Sequence, residues 1–348
     1  MKERELNYMI NKYFNRIARI LISSYCLLFS ISSHNLYSQD VHFSTFDANP
    51  LFLNPANTGF TSNSFRLGSV FRNQWSTVSN GYNSYLLSLE MSPYYNRARK
   101  EGLGIGISLI SDIAGSLNYG QRTISLSSAY YKSLCNKTDN IISFGLIGSY
   151  SSWGYDYDKT QFSRDNEDFE GVLLNSINTF DLGLGLHWAF KPNKFNHIES
   201  GIALYHINKP KFSYYEDSDI IIPLKFNIYF SDLILISDNY SIKPSILFQK
   251  QNQYNEIIVG GDLKLNYSQT IFEQKVLSLG LYYRVVDALI AMVKYQYNNL
   301  NMGLSYDINL SKLTPASRTY GGVELWILYS FNAFKYRQTS SSIPCPQF

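Results

Sequence analysis

The sequence predicts an all-β fold: a transmembrane outer-membrane β-barrel of about fourteen antiparallel strands, with an N-terminal periplasmic or plug segment. Three observations predict it. Short stretches alternate with period two, as half-buried strands do. "LGIGISL" sets Leu103, Ile105, Ile107 and Leu109 against Gly104, Gly106 and Ser108, and "LGLGLHW" sets Leu182, Leu184, Leu186 and Trp188 against Gly183, Gly185 and His187. "LSLGLYY" and "MGLSYD" repeat the pattern around Leu279 and Leu304. Second, the non-apolar face is Gly, Ser or Ala with scattered charges at Arg66, Glu90, Asp262, Lys264, Lys294 and Glu324. A barrel wall that turns apolar residues to lipid and small or polar ones to a lumen has this pattern. Third, the connections alternate between long and short, as outer-membrane barrels do between their two ends.

Composition agrees. Of 348 residues 16% are charged and 16% aromatic, with 29 Tyr and 22 Phe. Soluble domains carry about 25% charge, yet a mean hydropathy of −0.17 excludes a bundle of membrane helices. Aromatic residues near strand ends, among them Tyr130, Tyr131, Trp188, Tyr295, Tyr297, Tyr329 and Phe331, suit interfacial girdles.

Residues 1–38 are expected to be an export signal. Lys2, Arg4, Lys12, Arg16 and Arg19 precede an apolar run at 20–31 that is short for a membrane span, and cleavage is expected before Gln39. Removing 1–38 takes five of the 30 Lys and Arg and two of the 27 Asp and Glu, leaving 25 of each. A neutral mature chain lacks the basic excess of a nucleic-acid binder.

Residues 39–63 contain "NPLFLNPANTGF", with two Asn-Pro pairs five residues apart. Proline removes a backbone donor and pushes the preceding residue out of the helical region. Asn49 and Asn54 are therefore expected to be extended, and "PANTG" to turn. Lipid tolerates no unpaired backbone. The segment is thus placed against the barrel rim or in the lumen, anchored by Leu51, Phe52 and Leu53. A cap that only completes the barrel and a docking element for a partner are both compatible with this.

The barrel is expected over 64–332, with strands starting near Ser64, Ser84, Leu103, Arg122, Ile141, Phe180, Ile198, Leu224, Tyr240, Glu256, Lys275, Ala288, Leu300 and Tyr320. Long connections at 74–83, 113–121, 153–179, 208–223 and 309–318 fall at one end, with shorter ones at 251–255 and 285–287. The turns at the other end are tight, except a basic one at 92–102. A periplasmic tail follows at 333–348. Cys135 and Cys345 share the periplasmic side and match no CxxC or Cys/His metal pattern. The acidic loop 153–179 lacks the ordered pattern of a calcium loop.

The opening "QDVHFSTFDANPLFLNPANTGF" resembles that of mature proteins in the PorP/SprF family of type IX secretion systems. The resemblance is carried by Gln39, Phe43, Ser44, Asn49, Pro50, Leu51, Leu53, Asn54, Pro55, Ala56 and Gly59. "FRNQW" ending at Trp75, a glycine-rich block with Asp112, Ala114 and Gly115, "GGVELWILYSF" and the terminal "PCPQF" extend it over the mature chain. The spacer Thr45–Ala48 departs from the pattern, and 150–320 adds only the strand rhythm. The resemblance implies an outer-membrane barrel that serves type IX secretion. Its expected partners are periplasmic ring components, a large secreted surface adhesin, or both, beside outer-membrane lipid; nucleic acid is not among them. The expected contact residues are Phe43, Asn49, Pro50, Asn54, Pro55, Arg72 and Trp75, with Trp75 and Phe43 as anchors. No cofactor or metal is expected. No nucleophile motif surrounds any Ser, so the chain is not expected to be an enzyme. The rival reading is a passive outer-membrane porin.

Overall fold

The computed structural model describes residues 40–61, 63–76, 81–96, 101–134, 139–156, 176–213, 220–269, 273–311 and 314–332. The chain forms two compact units, Met1–Asp40 and Val41–Phe348, and the barrel is the second. The expected signal 1–38, Cys135, Cys345, the acidic residues from Asp158 to Glu170 and the tail 333–348 lie outside the described residues.

Fourteen strands run β1 (Phe65–Gln74), β2 (Tyr82–Asn96), β3 (Glu101–Ala114), β4 (Tyr119–Ser133), β5 (Asp139–Gly154), β6 (Ser176–Lys191) and β7 (Asn196–Tyr205). They continue as β8 (Lys225–Leu235), β9 (Tyr240–Gln251), β10 (Tyr254–Gln269), β11 (Gln274–Arg284), β12 (Ala288–Tyr297), β13 (Leu300–Asn309) and β14 (Tyr320–Phe331). Each pairs antiparallel with its sequence neighbours, and β1 closes on β14 in the register Phe65↔Phe331 to Gln74↔Gly322. Closure removes every free sheet edge, which a bilayer requires because lipid offers no hydrogen bonds. Every strand begins within four residues of its expected start.

The period-two stretches lie as expected. Leu103, Ile105, Ile107 and Leu109 are exposed on the outer wall, and Leu182, Leu186 and Trp188 share that face on β6. Tyr130, Trp188, Tyr297 and Tyr329 form an exposed aromatic band at the short-turn end. Tyr82, Tyr119, Tyr150, Tyr283 and Tyr320 do so near the opposite end. Tyr131 departs from the expected girdle. It is 1% exposed against 45% for Tyr130, because adjacent strand residues face opposite sides.

Long connections gather at one end, at 206–224 and 310–319, while 236–239 and 298–299 are tight turns at the other. The basic turn expected at 92–102 is shorter. β2 runs to Asn96 and β3 starts at Glu101. Pro93 is absorbed by a bulge, where the β2–β3 register shifts between Met91 and Tyr94.

The register can be checked by cross-linking across the closing seam. Ser69 faces Ile327. Directly opposed antiparallel residues fall within disulfide reach. In a C135S/C345S background, Ser69→Cys with Ile327→Cys is expected to form an intramolecular disulfide by mass spectrometry. Ser69→Cys with Leu325→Cys, one pair out of register, is expected not to.

Candidate functional site

Residues 41–61 lie inside the barrel. The two Asn-Pro pairs explain the local fold. Asn49 lies outside the helical region, short of fully extended (φ −134, ψ 87), and its Oδ1 accepts from the Phe52 amide. Asn54 is extended (φ −159, ψ 123), and its Oδ1 accepts from the Ala56 amide. Each asparagine is thus an N-cap followed by a proline, which has no orphan N–H at the first helical position. Between them runs one helical turn, Pro50–Leu53, and after them a 3₁₀ turn, Pro55–Asn57. The helical turn was not foreseen. It persists because Pro50 starts it and Asn54, forced extended by Pro55, stops it. Gly59, at φ 65, then turns the chain toward β1.

Glycines of the wall make room. A Cβ at Gly104 would lie 1.9 Å from the carbonyl oxygen of Thr58, and one at Gly185 would lie 1.9 Å from Asn54 Oδ1. The Gly face of "LGIGISL" and "LGLGLHW" is the bed of the segment.

Polar contacts fix the segment along its length. At the short-turn end, Arg66 makes a fork of two 2.9 Å bonds to Glu90, and Glu90 accepts the Gly59 amide at 3.0 Å. Phe60 packs edge-on against Tyr131 and His187. In the middle, the Asn54 amide donates to the carbonyls of Leu186 (2.8 Å) and Ile202 (3.3 Å), on two adjacent strands. Ser143 donates to the Ala56 carbonyl at 2.7 Å, Tyr205 to that of Phe52 at 2.9 Å, and Asn227 to that of Leu53 at 3.2 Å. Lys294 bridges Asp47 (2.7 Å) and Asp262 (3.0 Å). Asp47 thus lies between two ammonium groups, Lys294 and Lys243, the second at 4.0 Å.

At the long-loop end, a buried cluster clasps Ser44. Glu324 accepts the amides of Ser44 (2.8 Å) and Thr45 (3.0 Å), and Ser44 Oγ donates to Asp307 at 2.6 Å. Arg72 pairs with Asp307 (2.9 Å) and Glu324 (3.0 Å) and touches Ser44 Oγ. Arg284 reaches Asp307 (3.2 Å), Glu256 (3.3 Å) and Ser44 Oγ (2.7 Å). A chain threading a lumen carries backbone groups that water no longer serves, and these side chains serve them.

The expected contact residues are not one exposed surface. Phe43 is buried among Val70, Leu86, Trp326 and Leu328 and edges Phe52 at 5.2 Å. Asn49, Pro50, Asn54, Pro55 and Arg72 are buried as well. Arg72 does meet the segment, because the segment threads the lumen. Trp75 sits apart at the end of β1, at φ 59, with its ring edge-on to Tyr82 at 5.3 Å and its amide donating to Gly321. Contact between a partner and the buried residues therefore requires the segment to leave the lumen. Sequence reading placed Arg66, Glu90, Lys294 and Glu324 on the luminal face without seeing what they hold. It named Ser44 only as a motif residue, set Asp307 on the polar face of "MGLSYD", and did not single out Asp47 or Arg284. A charge on a small-residue face signals a buried partner, but only the fold says which.

The Arg66–Glu90 pair yields a test. Glu90→Gln strips the charge that answers Arg66, and losing one member of a buried pair costs about 3–5 kcal/mol. Unfolding by urea in lipid vesicles is expected to shift by this order, and protease is expected to reach residues 41–61 in the variant. Arg66→Met with Glu90→Leu removes both charges and is expected to recover most of the loss.

The sequence from 35 to 329 matches the family model described as type IX secretion system membrane protein PorP/SprF. No curated protein matches the chain. Among solved structures, it is similar to the toluene transporter TbuX of Ralstonia pickettii, at 11% identity and a TM-score of 0.49 over 80% of this chain and 92% of that one. It is also similar to a FadL homologue of Pseudomonas aeruginosa, at 10% identity and a TM-score of 0.46 over 80% and 93%. The monoaromatic hydrocarbon channel CymD matches at 11% and 0.47 over 82% and 93%. This closed barrel of the outer membrane, threaded by its own N-terminal segment, belongs to the PorP/SprF family of type IX secretion system membrane proteins.

Proposed function

We propose that the protein serves type IX secretion as a plugged scaffold that holds partner proteins, and not as an open pore. The observation that supports this is the luminal segment, tied to β14 through Glu324 at one end and to β2 through Glu90 at the other. A solute path would have to pass a chain bonded to β14 through Glu324 and to β8 through Asn227, six strands away by the shorter way round the closed wall. Partners of the kind expected are periplasmic ring components and a large secreted surface adhesin. Ring components meet the short-turn rim and an adhesin the opposite rim, where Trp75 and the long connections lie, or either meets the segment once it is released. In the second case Phe43, Asn49, Pro50, Asn54, Pro55 and Arg72 exchange their intramolecular contacts for contacts with the partner.

Two measurements separate this from the porin reading. In planar bilayers the wild-type protein is expected to show no steady conductance, whereas a chain deleted for 43–59 conducts; steady wild-type conductance would favour the porin. In mild-detergent purification from outer membranes, ring components or a large adhesin are expected to accompany the wild type. Their absence, with the barrel folded, would overturn the scaffold reading.

A further inference from the structure

The outer wall carries an apolar groove of about 580 Å³ across β1 to β5. Tyr85, Leu87, Leu109, Ile124 and Tyr150 flank it, all exposed. The small side chains of Ser69, Ser111 and Ser152 form its low points. A second pocket, of about 340 Å³, is lined by polar and small residues, among them Asn118, Gly120, Asp156 and Ser176. Arg122 and Ser152 line both.

The position of Arg122 follows from the strand pattern. It shares the outward face of β4 with Ile124 and Leu126 and is exposed like them. It pairs with Ser111 on β3 and Ser152 on β5, so both flanking side chains are too short to cover its guanidinium. It lies three residues from Tyr119, the first residue of β4. At 3.4 Å per residue that is roughly 10 Å from the strand end, near the boundary between acyl chains and headgroups. Among the described residues, no carboxylate pairs with it. A guanidinium facing lipid seeks an anion with matching fork geometry, and in a membrane the phosphate of a lipid supplies one.

We propose that this groove is a lipid-binding site for one phosphate-bearing lipid of the leaflet at the long-loop end. The acyl chain lies along Leu87, Leu109 and Ile124, and the phosphate rests on Arg122 at the mouth of the polar pocket.

Native mass spectrometry of the full-length protein in detergent tests this, with dimyristoyl phosphatidic acid and dimyristoyl glycerol as matched probes. Wild type is expected to retain the phosphatidic acid about tenfold better, the scale of one charge-assisted contact. Arg122→Gln is expected to erase that preference and Arg122→Lys to keep part of it. Ser111→Phe, which fills the groove, lowers retention of both lipids. Lys250→Gln removes an exposed cation from a strand outside the groove and is expected to change nothing. An unchanged preference in Arg122→Gln would overturn the site. An equal loss in Lys250→Gln would overturn it too, by showing a general surface-charge effect. Heat-modifiable migration on gels confirms that each variant is a folded barrel.

Discussion

Lipid cannot hydrogen-bond a peptide group, and the whole architecture follows from that. It forces the strands to close, β1 on β14, so that no ladder is left open. It turns apolar side chains outward and leaves the inward half of every strand to be small, polar or charged. An interior so built is either wet or occupied. Here it is occupied by residues 41–61, whose own backbone then meets the same demand. Glu90, Glu324, Asn227, Tyr205 and Ser143 answer it from the wall.

The charges inside the barrel are better understood as fasteners than as a filter. Ions buried in a protein interior cost several kcal/mol each unless paired and hydrogen-bonded. Arg72 and Arg284 sit among Asp307, Glu324 and Glu256, and each carboxylate is bonded to a guanidinium. Lys294 does the same for Asp47 and Asp262. Such clusters fix one geometry because any displacement leaves a charge unanswered. This is how a segment with only two short turns of regular structure keeps a single path through a wide lumen.

Much of the barrel was legible because its physics is local. Alternation in "LGIGISL" is visible in the residues themselves, and the even strand number follows from antiparallel closure. The Asn-Pro caps were legible for the same reason, since proline constrains its own neighbour. Long-range pairing was not. Nothing in the sequence near Ser44 announces Glu324, 280 residues away. The basic turn after β2 was misjudged because Pro93 signals a break, whereas a bulge can carry it within a strand. Trp75 was grouped with Phe43 by resemblance of motifs; the fold puts it on the rim and Phe43 in the interior.

The clasp at Ser44 joins the first strand to the last, because Arg72 belongs to β1, Glu324 to β14 and Asp307 to β13. The segment is made before any strand, yet its binding site is complete only when the final hairpin arrives. Contacts of such sequence separation form late and slowly. The early segment therefore gains its last partners only when the seam shuts. The plug and the closing seam become one cooperative unit, and a half-made barrel is marked by an unclasped tail.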